Sequence, residues 1–217
     1  MTVIRVINPN SNKAVTDGLA ASLKHFAVPG RLDIVCDTLE AGPIGIESQR
    51  DMDAVTLPLL ARMKARKADA YVIACFSDPG LALCRSEIDA PVFGIMESSM
   101  AMALTRGDLF GIIALSKNAV RRHRRIIRGL GLLPRMAGER PVDTSVADSA
   151  KPEAFDSLAR AGLTLTEEDA ADVLIMGCAG MARHRAMLEA TCKVPVIDPT
   201  QAAVSLAKGA LLASINV

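Results

Sequence analysis

The 217-residue chain has no tryptophan, one tyrosine and five phenylalanines, so aromatic residues make up only 3% of it. That is too few for the stacked platform on which single-stranded nucleic acids lie. It also lacks an excess of either charge: 25 Lys+Arg stand against 24 Asp+Glu, a formal +1. This balance argues against the basic face that a nucleic-acid or membrane-surface protein carries. The three histidines, His25, His123 and His184, are dispersed, and no CxxC occurs, so no metal site is expected. No apolar run of the ~18 residues needed to span a bilayer escapes interruption by charge. The opening MTVIRVINPNSN lacks the charged start and long apolar stretch of a signal peptide. The five cysteines (Cys36, Cys75, Cys84, Cys178, Cys192) are odd in number and scattered, which suits a reducing cytosol better than a disulfide framework. The expectation is a cytoplasmic protein with a small-molecule partner, no nucleic acid and no membrane.

Half of the residues are apolar and 23% are charged, an ordinary globular composition. A chain of this length buries roughly 70% of its unfolded surface. Short apolar runs alternate with helical patterns. Val3–Ile7, Leu32–Val35, Tyr71–Cys75, Val92–Ile95, Leu109–Ala114, Val173–Gly177 and Val196–Ile197 read as strands. Most are continuously apolar, as in parallel strands covered on both faces. Asn12–Phe26, Ser48–Lys67, Asn118–Leu130, Phe155–Ala161 and Gln201–Ser214 read as helices. In the second of these, Met52, Val55, Leu59 and Met63 keep helical spacing, and Pro58 predicts a kink or a later start. The polar stretch Arg135–Lys151 predicts one short strand and a loop. This alternation predicts an α/β protein with mostly parallel sheet.

An internal repeat runs through the pattern. ADAYVIACFSDPG surrounds Cys75, and ADVLIMGCAGMAR surrounds Cys178. An Asp stands six residues before each Cys, Asp69 and Asp172, and a Pro-Val pair follows 16 and 17 residues later at Pro91 and Pro195. Upstream, VINPNSN (6–12) aligns with IIALSKN (112–118), so the halves are offset by 103 to 106 residues. The expected lobes are 1–95 with 197–217, carrying Cys75, and 96–196, carrying Cys178.

The repeat changes the meaning of two cysteines. A single cysteine is ordinarily a small buried hydrophobe, and Cys36 (strand), Cys84 (helix) and Cys192 (loop before the last strand) take that reading. Cys75 and Cys178 each end a buried strand just before a turn and a helix start, where parallel sheets bind ligands and N–H groups favour a thiolate. If the halves face each other about a pseudo-twofold axis, the two thiols meet across one cleft. They would then remove a proton from one face of a stereocentre and return one to the other. NPNSN is sufficiently explained as a capped turn and gains a ligand-loop reading only from its place at a strand C-terminus, and Ser116 has the same double reading. Arg121–Arg125 reads as a solvated helix face or a subunit contact, His184 as an exposed helix residue or a neighbour of the cleft. Asp78 reads as a cap for the helix through Pro79, Gly80 and Leu81 ahead of a catalytic role, because a carboxylate near the thiol opposes thiolate formation.

The strand ending in NPNSN, the first-half CFSDPG, the second-half GCAGM and the pseudo-repeated chain together resemble the aspartate/glutamate/hydantoin racemase superfamily. CFSDPGL is most similar to the hydantoin and allantoin racemase branch. The amino-acid racemases carry Cys-Asn-Thr where this chain has Cys75-Phe76-Ser77, and Ser77 stands where the hydantoin branch more often has glycine.

The resemblance implies two flavodoxin-like parallel-sheet halves with the active site between them. It also implies a racemase needing no cofactor and no metal, and a homo-oligomer. Cys75 and Cys178 match the family's acid/base pair. Asn8 and Pro9 match its first substrate loop, and Pro43 and Ile44 a second. Ser116 matches a hydroxyl position, and the amides of Phe76, Ser77, Ala179 and Gly180 match donors to substrate carbonyls. The implied reaction is racemisation of a 5-substituted hydantoin or allantoin. The alternatives are an aspartate/glutamate racemase, a relative that isomerises maleate or decarboxylates arylmalonates, or an inactive small-molecule binding module.

Overall fold

The computed structural model describes residues 1–213. The last four positions lie outside the described residues. They include Ser214 of the helix expected over Gln201–Ser214 and the end of the lobe expected to reach residue 217.

The chain divides into two compact units, one formed by Met1–Ser98 with the segment from Thr200, the other by Ser99–Pro199. The first holds β1 (Thr2–Asn8), α1 (Lys13–Leu23), β2 (Leu32–Thr38), α2 (Gln49–Ala65), β3 (Ala70–Ile73), α3 (Leu81–Glu87) and β4 (Val92–Gly94). α4 (Ile95–Ala103) carries the chain into the second unit. There follow β5 (Phe110–Ala114), α5 (Lys117–Gly129), β6 (Met136–Pro141), α6 (Phe155–Glu167), β7 (Val173–Met176), α7 (Arg185–Cys192) and β8 (Val196–Ile197). α8 (Pro199–Ala213) returns to the first unit from Thr200 onward.

Each unit contains one four-stranded parallel sheet, in the orders β2-β1-β3-β4 and β6-β5-β7-β8. Both are the 2-1-3-4 order of flavodoxin-like sheets. The inner strands β3, β5 and β7 are buried at every residue, whereas the edge strand β6 is half-buried throughout. Continuous apolar sequence is what a strand covered on both faces requires.

The repeat extends to individual hydrogen bonds. Asp69 accepts the Val3 N–H at 2.7 Å, and Asp172 accepts the Leu109 N–H at 2.9 Å, so each repeated aspartate pins the start of its central strand. Tyr71 and Leu174 donate to the carbonyls of Pro91 and Pro195, both at 2.9 Å. The two Asp-to-Pro frames seen in the sequence are therefore two copies of one backbone scaffold.

α2 starts at a capping box in which Ser48 accepts the Asp51 N–H and Asp51 accepts the Ser48 N–H, and this fixes the start ahead of Pro58. Pro58 lies inside the helix, so the expected later start does not occur. Met52, Val55, Leu59 and Met63 are buried as their spacing predicts. Arg135–Lys151 yields one strand, β6, followed by loop and a short 3-10 turn. Val92–Ile95 was expected as strand, but Ile95 already opens α4. Cys192 was expected in a loop and instead ends α7. In the basic stretch Arg121, Arg124 and Arg125 are exposed, but Arg122 and His123 are buried. His123 Nδ1 lies 2.5 Å from Glu139 Oε1, tying α5 to β6, so this part of the stretch is a core contact.

Candidate active site

The residues expected to bind or react lie at the C-terminal ends of strands or in the loops that follow them, on the side at which open parallel sheets hold ligands. In the first unit Asn8 ends β1, and its side chain is bonded inside the NPNSN loop. Its Nδ2 reaches Asn10 Oδ1 (2.9 Å), Thr16 Oγ1 (3.1 Å) and the Asn12 carbonyl (3.2 Å). Asn12 caps α1 by accepting the Ala14 N–H. The second loop is braced on the first: the Ser11 N–H donates to the Pro43 carbonyl at 2.8 Å. A Cβ on Gly42 would come within 2.2 Å of the Pro9 carbonyl oxygen, so only glycine permits this approach. The structure thus brings Asn8, Pro9 and Pro43 together, with Ile44 72% exposed beside them.

Cys75 follows β3 by two residues and is half-buried. Its carbonyl accepts the N–H groups of Ser77 (2.8 Å) and Asp78 (3.0 Å), which turns the chain toward α3. Phe76 and Ser77 are buried, and the Ser77 hydroxyl donates to the Phe76 carbonyl. Asp78, expected to cap α3, instead caps α4: its carboxylate accepts the Met96 N–H at 2.9 Å and the Glu97 N–H at 3.0 Å. It reaches them from a left-handed backbone, φ 47°. Gly94 gives it room, since a Cβ there would lie 2.2 Å from the carboxyl carbon. Burial pushes the Asp78 carboxyl up to about 7, against the two backbone hydrogen bonds that hold it down.

In the second unit Ser116 caps α5 by accepting the Ala119 N–H at 3.2 Å. Cys178 follows β7 by two residues, as Cys75 follows β3, and is buried. Its Sγ accepts the Gly180 N–H at 3.4 Å, capping the 3-10 turn Ala179–His184. The loop after β6 adds a residue that sequence reasoning missed. Ser149 is fully buried, and its Oγ lies 3.8 Å from the Cys178 sulfur. His184, expected to be exposed, is buried, with Nε2 3.2 Å from the Ser149 carbonyl and its ring stacked on Phe155. Burial lowers its pKa, which favours a neutral ring that holds the loop through backbone contacts.

Burial works against ionisation of the thiols at Cys36, Cys84 and Cys192. Burial pushes Cys36 up to about 11, with Asp37 adding to the effect, and burial raises Cys84 and Cys192. Among the described residues, no three His, Cys, Asp or Glu side chains group as metal ligands. No described helix is long and apolar enough to cross a membrane.

The Asp/Glu/hydantoin racemase family model matches residues 4–207. The chain belongs to this family. It is an isomerase of the racemase type. The hydantoin racemase of Pseudomonas sp. (strain NS671) is 34% identical to this family member, covering 94% of this chain and 84% of the relative. The hydantoin racemase of Paenarthrobacter aurescens is 31% identical, covering 94% and 89%. The solved allantoin racemase from Klebsiella pneumoniae superposes with a TM-score of 0.93 at 28% identity, covering 99% of this racemase and 89% of that chain. The fold is therefore the two-sheet α/β fold of the family.

Proposed function

We propose that the racemase acts on a 5-substituted hydantoin or allantoin, with Cys75 and Cys178 as its two bases. One observation carries the reading: the two cysteines occupy the same position, two residues beyond the third strand, in sheets of identical order. The similarity to hydantoin and allantoin racemases supports the cyclic substrate class.

The proton at C5 of a hydantoin lies α to a carbonyl, so removing it builds negative charge on the carbonyl oxygen. One cysteine takes that proton as thiolate while the other, protonated, delivers its own to the opposite face. The roles reverse for the other enantiomer, and the scheme needs no cofactor. The enolate oxygen would be met by backbone amides of the Phe76–Ser77 and Ala179–Gly180 turns. Such donors are commonly worth about 2.7–4 kcal/mol each in the transition state. The Ser77 and Gly180 amides must exchange their present acceptors, the Cys75 carbonyl and the Cys178 sulfur, to reach it. Asn8, Pro9, Pro43, Ile44 and Ser116 would line the substrate's surroundings, the first four as a pair of mutually braced loops.

The deciding experiment is proton NMR in deuterated water with single enantiomers of allantoin, benzyl- and alkylhydantoin, aspartate and glutamate, each against an enzyme-free control. Accelerated loss of the α-proton signal in cyclic compounds alone is expected. Exchange in an amino acid alone would overturn the substrate assignment. Replacing Cys75 or Cys178 with Ser should lower turnover by about 10²–10⁴-fold, the usual contribution of a positioned acid or base. A Cys75→Ser enzyme that racemised both enantiomers at the normal rate would end the two-base scheme.

A further inference from the structure

Ser149 lies 29 residues before Cys178 in the chain, yet its hydroxyl is placed on that sulfur. The residue is fully buried, with Oγ 2.8 Å from the Val146 carbonyl and 3.8 Å from Sγ. A serine hydroxyl has one proton and two lone pairs. The carbonyl can only accept, so when the proton points to Val146 the lone pairs remain for a Cys178 S–H. When Cys178 is a thiolate, sulfur becomes the stronger acceptor, and rotation about one bond turns the O–H onto it. Serine keeps its own proton throughout; the proton that Cys178 gains or loses is the substrate's.

We infer that Ser149 is a positioning residue for Cys178, a hydroxyl rotor between Val146 O and Sγ that holds the sulfur in place in both protonation states. The inference rests on the proposed acid/base role of Cys178 and deepens it. The surroundings are built to keep this hydroxyl in place. The Ser149 N–H donates to the Ser145 carbonyl at 3.0 Å. The Ser149 carbonyl faces His184 Nε2 at 3.2 Å, and since a carbonyl only accepts, that nitrogen carries the hydrogen. Across the turn, a Cβ on Gly180 would stand 2.9 Å from Ser149 Oγ and 3.6 Å from Sγ. The absence of a side chain there leaves serine and sulfur facing each other. The Gly180 N–H is also on Sγ before substrate binds, and when that amide turns to the enolate oxygen the Ser149 hydroxyl remains as a donor to the thiolate.

The test is the pH dependence of iodoacetamide alkylation of the intact enzyme, resolved by peptide mass spectrometry so that Cys75 and Cys178 are read separately. Ser149→Ala should raise the Cys178 midpoint by about one pH unit, the equivalent of one hydrogen bond to a charged group, and leave the Cys75 midpoint in place. Ser149→Thr, which keeps the hydroxyl, should restore the wild-type value. An unchanged Cys178 midpoint in Ser149→Ala overturns the inference. So does an equal shift at both cysteines, which would mark a general loosening, and so does failure of Ser149→Thr to restore the value. A Cys178→Ser enzyme that still racemises would sink the two-cysteine reading, while a Cys178-specific shift in Ser149→Ala would still uphold the Ser149 assignment.

Discussion

One residue before each cysteine, a backbone N–H bonds to the central strand of its sheet: Ala74 to the Ile7 carbonyl at 2.9 Å and Gly177 to the Ile113 carbonyl at 2.8 Å. The two positions are equivalent in topology but not in space. A Cβ on Gly177 would lie 2.5 Å from the Ile113 carbonyl oxygen and 3.2 Å from Ala114 Cα, both backbone atoms of a central strand. Neither can move without disturbing the β5–β7 pairing. Gly177→Ala should therefore cost about 1–3 kcal/mol as overpacking, read as a lower denaturation midpoint, and should displace Cys178. Ala74→Gly, which removes a methyl and adds chain freedom, should cost less, about 0.5–1 kcal/mol. Equal losses in the two variants would refute the argument from close approach.

Among the elements, the join between β4 and α4 carries a pH dependence. Asp78 caps α4 with a carboxyl raised to about 7, while in the unfolded chain it titrates near ~3.9. Between those values the native state holds a proton that the unfolded state has lost, so stability falls as pH rises from about 4 to about 7. The charged groups acting on it are Glu97, which opposes ionisation, and Arg85, which favours it. His184 works the other way. Its native pKa is lowered, so the unfolded chain takes up the proton first and stability falls as pH drops below about 6.5. Thermal melts at pH 5 and pH 8 separate the two contributions. Asp78→Asn should remove the loss of stability on going from pH 5 to pH 8, leaving the His184 trend exposed. A wild-type-like difference in that variant would refute the assignment.

The same region shows where sequence reasoning reached and where it stopped. Strands β3, β5 and β7 were legible because double burial demands unbroken apolar runs, and α2 because one apolar stripe keeps a helical period. The repeat was legible because its pinning aspartates stand at one offset from the cysteines and the following prolines at offsets that differ by a single residue. α4 was not: IMESSMAMA is apolar on most sides and follows Gly94 without a break, so no periodicity separates it from the strand. The role of Asp78 was misplaced for a related reason. Its proximity to Pro79–Leu81 suggested α3, while the fold brings the N–H groups of residues 96 and 97 to it. Ser149 carried no signal at all, because its meaning lies in a tertiary contact from a polar loop. Cys75 and Cys178 stood out because two halves of one chain could be compared with each other.

At the scale of the whole molecule, the first unit is discontinuous. Ala202, Ala203, Val204 and Ala207 of α8 are buried, and Gln201 Nε2 donates to the Ser22 carbonyl at the end of α1. A fragment ending at residue 98 therefore lacks a helix that completes its own core. It should show no cooperative unfolding transition by circular dichroism, and adding a peptide of Pro199–Ala213 should restore one. A cooperative transition from the fragment alone would show that α8 is dispensable. The second unit, Ser99–Pro199, is continuous, and this difference sets an order of events on the ribosome. All of the second unit emerges before α8 is made, and at about 5–20 residues per second the first sheet waits on the order of 5–20 s after its own strands have appeared. The half of the protein synthesised first is thus the last to close, and during that interval its unfinished face is open to chaperones.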